Sequence, residues 1–137
     1  MKFLNRLLAK PKPKRIFSDR LSGAGTYDIE LESLSIKNLD VIWKATSNEW
    51  RRKDESRDFF QRQTDAMLVS DVENRVPNAI RVEIAGKVVG HLGLSDALRL
   101  HRGLKQLDYG LIKSACKAKI VGRPGHWQVD LDFDPNL

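Results

Sequence analysis

The side chains able to do chemistry are few and scattered. His91, His101 and His126 stand far apart, and Cys116 is the single cysteine. A zinc site draws its ligands from residues at short, regular spacing. No such cluster is written here, and no metal is expected. Cys116 falls inside the alternating run "SACKAKIV", where a cysteine behaves as a small apolar packing group. Asp130 and Asp132 lie two residues apart in "HWQVDLDF". That spacing puts both on one strand face, expected to meet water rather than to act as an acid–base pair. "GKVVGHLG" carries glycines at 86, 90 and 93. This is neither the GxGxxG of a dinucleotide site nor a GxxxxGK[ST] phosphate loop. No catalytic residue and no cofactor is expected, and the chain reads as non-enzymatic.

The elements that position these residues follow from hydrophobic period. "TYDIELES" alternates, with Tyr27, Ile29 and Leu31 on one side and Asp28, Glu30 and Glu32 on the other, which predicts a half-buried strand. In "SIKNLDVIWKAT", Ile36, Leu39 and Trp43 follow helical spacing with Ser35 as N-cap. Residues 48–65 lack a sustained period and read as a polar connection whose mixed-charge run "RRKDESRD" forms a solvated face. "AMLVSD" predicts a second strand. "NAIRVEI", Gly86 and "KVVGHL" predict a hairpin with Ile80, Val82 and Ile84 inward. Ser95 is placed as the cap of a second helix whose apolar stripe is Leu100, Leu104 and Leu107. "SACKAKIV", the turn "GRPG" and "HWQVDLDF" close the chain, with Trp127, Val129, Leu131 and Phe133 inward and Gln128, Asp130 and Asp132 outward.

The predicted fold is therefore α+β and mostly antiparallel: a small OB-like barrel of about six strands with two helices. A chain of 137 residues with 41% hydrophobic and 31% charged side chains suits one such domain. No apolar run approaches the roughly 20 residues of a membrane-spanning helix. With one cysteine and no cleavable leader in view, a cytoplasmic setting is expected.

The net charge of +6 is unevenly placed. Residues 1–20 hold seven basic side chains against Asp19 alone, and the rest of the chain nets zero. A high isoelectric point confined to one end is not evidence for a basic binding face on the domain. Residues 1–24 read as a basic amphipathic tail and linker ending at "SGAG", and residues 25–137 as the domain. Three uses of the tail stay open: docking on its own domain, weak contact with an acidic membrane surface, and a phosphate-binding arm.

Residues 67–105, "MLVSDVENRVPNAIRVEIAGKVVGHLGLSDALRLHRGLK", resemble the HIRAN domain family. That family's pattern is an apolar strand, an acidic–proline stretch like "EPdNPYDpNA[VI]", a strand, a glycine turn, "VG[YH]L" and a capped helix. The looser resemblance extends over residues 25–134. It implies a modified OB-like barrel that binds single-stranded DNA, captures a free 3′ end and performs no catalysis. Carried over by position, the "VG[YH]L" residue is His91 and the Asn of "NA[VI]" is Asn78. The Tyr-Asp pair falls on Arg75 and Val76, and the tyrosine of the first helix segment falls near Ser35. Arg75 and Lys37 are candidates for phosphate contacts. The expected nucleic-acid-binding set is Ser35, Lys37, Arg75, Asn78, Arg81 and His91, gathered in one groove. The alternative is a protein-interaction module that keeps the fold without the DNA-end pocket.

Overall fold

The computed structural model describes residues 14–52 and 59–137. Its elements are β1 (Ile16–Phe17), β2 (Ile29–Glu32), α1 (Ile36–Thr46), a 3₁₀ turn (Ser47–Glu49), β3 (Arg51–Arg52), β4 (Phe60–Ser70), β5 (Ile80–Ile84), β6 (Lys87–Leu92), α2 (Leu94–Gln106), β7 (Leu111–Arg123) and β8 (His126–Asp132). Six strands close on themselves in the order β7, β8, β2, β6, β5, β4 and back to β7, each pair antiparallel. The short β1 adds to β7 in parallel, and β3 adds to β4. The small antiparallel α+β barrel read from the alternation is the fold observed.

Closure fills the interior from every strand at once. Leu68, Ile80, Val82, Ile84, Val89, Ile112, Ile120, Val129 and Leu131 are all essentially inaccessible to water. Cross-strand pairs such as Ile29 with Leu131 and Leu31 with Leu92 set the register, because a slip of one residue would turn each apolar side chain outward. The turn between β5 and β6 has Ala85 at φ 52° and Gly86 at φ 76°, the two left-handed residues of a type I′ hairpin turn.

The "VVGH" stretch proves to be an architectural joint. Between Val82 and Glu83 the β5–β6 register shifts, so Val89 is an extra residue on β6. Its carbonyl accepts from Ser35 N at 2.9 Å, and the Val88 carbonyl accepts from Asn38 Nδ2 at 2.7 Å. The bulge thereby seats the start of α1, where Ser35 Oγ accepts from Asn38 N as the expected cap. Gly90 lets β2 approach: a Cβ there would lie 2.9 Å from the Glu32 carbonyl oxygen.

Several sequence expectations are corrected. Residues 60–65 are the first half of β4, paired with residues 117–122 of β7. Their alternation is blurred because Phe60 turns into an aromatic cluster instead of the barrel interior. Residues 53–58 of the mixed-charge run, and residues 1–13 of the tail, lie outside the described residues. The second helix is capped by Gly93, with Ser95 inside its first turn, and Leu107 is an exposed C-cap. Tyr27 precedes β2 at φ 52°. Asp132 is buried: its carboxylate accepts from Gly25 N at 3.0 and 3.1 Å, because the chain before β2 folds over the end of β8. The stretch read as the end of the linker also lies on the barrel, with Leu21 in the core and its N–H bonded to the Ala115 carbonyl at 2.9 Å.

Candidate nucleic-acid interface

The loop between β4 and β5, residues 71–79, folds by polar side chains biting their own backbone. Asp71 N donates to the Ala79 carbonyl at 2.8 Å and closes the loop at its base. Asn74 Oδ1 accepts from Val76 N at 2.9 Å, the Asx turn that asparagine favours. Asn78 sits at φ 62°, a left-handed position that asparagine tolerates better than most residues. Arg75 is left exposed at the tip between them.

Asp71 organises the base of this loop. His91 Nε2 donates to its Oδ2 at 3.1 Å, and Arg81 Nη1 lies 3.6 Å from Oδ1. Arg81 and His91 are opposite one another across β5 and β6, and Arg81 Nε also donates to Glu83 at 2.7 Å. The hydrogen bond from His91 holds the Asp71 carboxyl below the usual carboxylate range, aided by Asn74 and by the charges of His91 and Arg81. Arg81 is held even more firmly protonated, chiefly by its bond to Glu83.

A cavity of about 290 Å³ opens between this loop and α2. Lys14, Asp71, Asn74, Asn78, His101 and Leu111 are among its walls. His101 comes from α2, one turn after buried Ala97 and one turn before buried Leu104, at the margin of the helix's buried face. Burial pushes its imidazole toward the neutral form, opposed in part by a hydrogen bond to the Asn78 backbone. Its Nε2 is buried without a partner. A neutral ring bonded through one nitrogen presents the other as an acceptor. The cavity's polar walls thus include the Asp71 carboxylate, the His101 ring and the Lys14 ammonium beside Ser70, Asn74 and Asn78.

The six expected residues divide into two groups. Arg75, Asn78, Arg81 and His91 belong to the loop and its base. Ser35 and Lys37 sit at the start of α1, joined to β6 through Val88 and Val89. Among the described residues no hydrogen bond or ion pair links Ser35 or Lys37 to the loop. Only Asn78 of the six lines the cavity. Asp71, His101 and Lys14 are contributors that the sequence reading does not include. Asp71 has a legible signal, an acid ending an apolar strand before a turn. His101 has none, since its value depends on a loop from elsewhere in the chain.

Among the described residues no cluster of three potential metal ligands occurs, and no helix is long and apolar enough to cross a membrane. Cys116 is buried and its thiol is pushed up to about 12 by that burial, which leaves it an inert packing group. Fold and loop together define the class as a small closed antiparallel barrel with a polar cavity at one end. Comparison with family models, curated proteins and solved structures returns no match.

Proposed function

We propose that this barrel is a HIRAN-like module that binds single-stranded DNA weakly and without catalysis, through the face around residues 71–79. The observation that carries the reading is that Asp71 and His101, whose Nε2 is buried without a partner, line one polar cavity. The position matching the family's acidic residue is Val76, and Asp71 supplies a carboxylate from the base of the same loop. A carboxylate has about four lone-pair sites, so Asp71 can bond His91 and still accept from a sugar hydroxyl. Arg75 at the exposed tip is available for a phosphate, while Arg81 and His91 hold Asp71 in position. Because Asp71 is held ionised, the hydroxyl contact persists through neutral pH.

Fluorescence anisotropy with a labelled oligodeoxythymidylate tests this. The expected result is binding that weakens steeply with salt and that prefers a free terminal hydroxyl over a terminal phosphate. Asp71→Asn should abolish the preference while leaving salt-dependent binding in place. Equal affinity of the intact protein for both ends would overturn the cavity's role, and absence of binding at low salt would overturn the function.

A second reading, a protein-interaction module, is favoured by two loop side chains. Val72 is 73% exposed and Val76 50%, flanking Arg75 with apolar surface that a polyanion does not need. Changing both valines to serine would weaken a protein partner and leave oligonucleotide affinity unaltered.

A further inference from the structure

The outer face of β7 carries a feature that the loop site does not use. Lys113, Lys117, Lys119 and Arg123 share one parity on this strand, with Ala115 and Val121 as the two uncharged positions between them. The first gap is crossed from the neighbouring segment. Leu21 N bonds the Ala115 carbonyl, and Arg20 reaches across to Asp65 on β4, opposite Lys117, with its closer approach at 2.6 Å. The small alanine side chain leaves room for this guanidinium. The outcome is a row of cations in which Lys117 and Lys119 are about 7 Å apart along the strand and the pairs across Ala115 and Val121 about 13 Å apart. Among the described residues, none of Lys113, Lys117, Lys119 and Arg123 is in an ion pair. Lys119 Nζ lies 4.9 Å from the centre of the Tyr27 ring.

The flanks of the row differ. On the β4 side, Gln61 and Gln63 stand opposite Val121 and Lys119, and Asp65 is neutralised by Arg20. On the other side Asp130 stands opposite Lys119 and Glu30 opposite Asp130. The potential is therefore positive along β7, neutral toward β4 and negative toward β2. The row also has a direction. Leu111, of the same parity and two residues before Lys113, is a wall of the loop cavity, so the cations lead away from its mouth.

We infer that this row is a track for the sugar–phosphate backbone of a single strand whose end occupies the cavity, with Tyr27 as the surface on which one base stacks. The inference rests on the nucleic-acid reading and adds the path of the strand to it. Each phosphate neutralised releases counterions, and for single strands each contributes about 0.7 to the slope of log affinity against log salt. The row, and not total charge, sets most of that slope.

The test measures anisotropy of labelled oligodeoxythymidylates over a salt series with the full chain and three variants. Replacing Lys113, Lys117, Lys119 and Arg123 by glutamine should lower the slope by about 0.7 for each phosphate no longer neutralised and remove the gain in affinity on lengthening the strand. Lys113, Lys117 and Arg123 are exposed and Lys119 is half-buried, so the fold should be retained, and an unchanged melting temperature checks this. A control changes Lys44, Lys87 and Lys105, exposed on other faces, to glutamine and should leave the slope near that of the intact protein. Tyr27→Ala should weaken binding roughly tenfold with the slope unchanged. Equal slopes for the row and control variants would overturn the track while the hydroxyl preference, tested through Asp71, still stood. Loss of that preference with the row's slope intact would overturn the cavity reading and leave a simple polyanion surface. No binding by the intact chain would sink both.

Discussion

At the Arg123 end of β7, Trp43, Trp50, Trp127 and Phe60 pack ring against ring with centroids 4.6 to 5.7 Å apart. At the Leu111 end, the loop of residues 71–79 and α2 enclose a cavity walled by Asp71, Asn78 and His101. The first end is satisfied. Asp40 accepts from Trp127 Nε1 and Gly125 N, both at 2.8 Å, and Thr46 Oγ1 accepts from Trp50 Nε1 at 2.9 Å. The second leaves an imidazole nitrogen buried and unpaired, a cost of about 1–3 kcal/mol for such a group. A barrel can carry that cost at one end because the aromatic end and the shared interior offset it. The difference sets a closed aromatic end and an open polar end at opposite ends of a single strand.

The largest expected effect tests the aromatic end. Trp127→Ala removes a ring that is 5% exposed and takes away one of the two donors, Gly125 N and Trp127 Nε1, that hold the Asp40 carboxyl below its usual range. A loss of about 3–5 kcal/mol is expected for this class of substitution. Chemical denaturation should show it as a lower midpoint with the denaturant slope kept. Oligonucleotide affinity, measured where the variant is still folded, should not change. A concurrent loss of affinity would mean that the two ends are coupled, and the division would fail.

The next test acts at the polar end. His101 has a folded-state pKa lowered by burial, so the unfolded chain binds more protons below its own pKa of about 6.5. Stability should therefore fall as pH drops from about 7 through that value, until the folded-state pKa is reached. His101→Leu removes the titrating group. Its melting temperature should be nearly flat between about pH 7 and pH 5 where the parent's falls, with stability at pH 7 within about 1 kcal/mol of the parent. Affinity for the hydroxyl-ended oligonucleotide should drop. Parallel pH profiles for the two proteins would show that the imidazole is not held neutral.

The two ends are unequally legible in the sequence. Period-two alternation in "NAIRVEI" and "HWQVDLDF" announces the barrel, since apolar burial on one face is a local property of a strand. Ser35 is legible as a cap for the same reason. Residues 60–65 are not, because Phe60 serves a cluster assembled from α1 and β8, and a window along the chain does not contain those partners. Asp132 reads as solvent-facing because its partner, Gly25 N, arrives from 107 positions away. The candidate site suffers most from this. His101 lies 23 residues beyond Asn78 in the chain yet bonds its backbone. Ser35 and Lys37 look adjacent to the site by family analogy, yet both lie at the start of α1, where Ser35 and Asn38 make the joint with β6.

The smallest effect sharpens the comparison from the β5–β6 turn, which lies on the α1 side through Val88 and Val89. Ala85 holds φ 52° there, in a left-handed region that costs an L-residue with a Cβ roughly 1–2 kcal/mol. Asparagine bears that conformation more easily and is the preferred partner of a following glycine in type I′ turns. Ala85 is exposed, so the larger side chain meets water and displaces nothing. Ala85→Asn should therefore stabilise by about 0.5–1 kcal/mol, a rise in melting temperature of about 2–4 °C. The change lies outside both cavity and cation row, and binding should keep its affinity and its salt slope. A stabilised hairpin that also bound more tightly would show that the bulge at Val89 transmits strain from the turn toward His91, joining the two ends that the packing otherwise keeps apart.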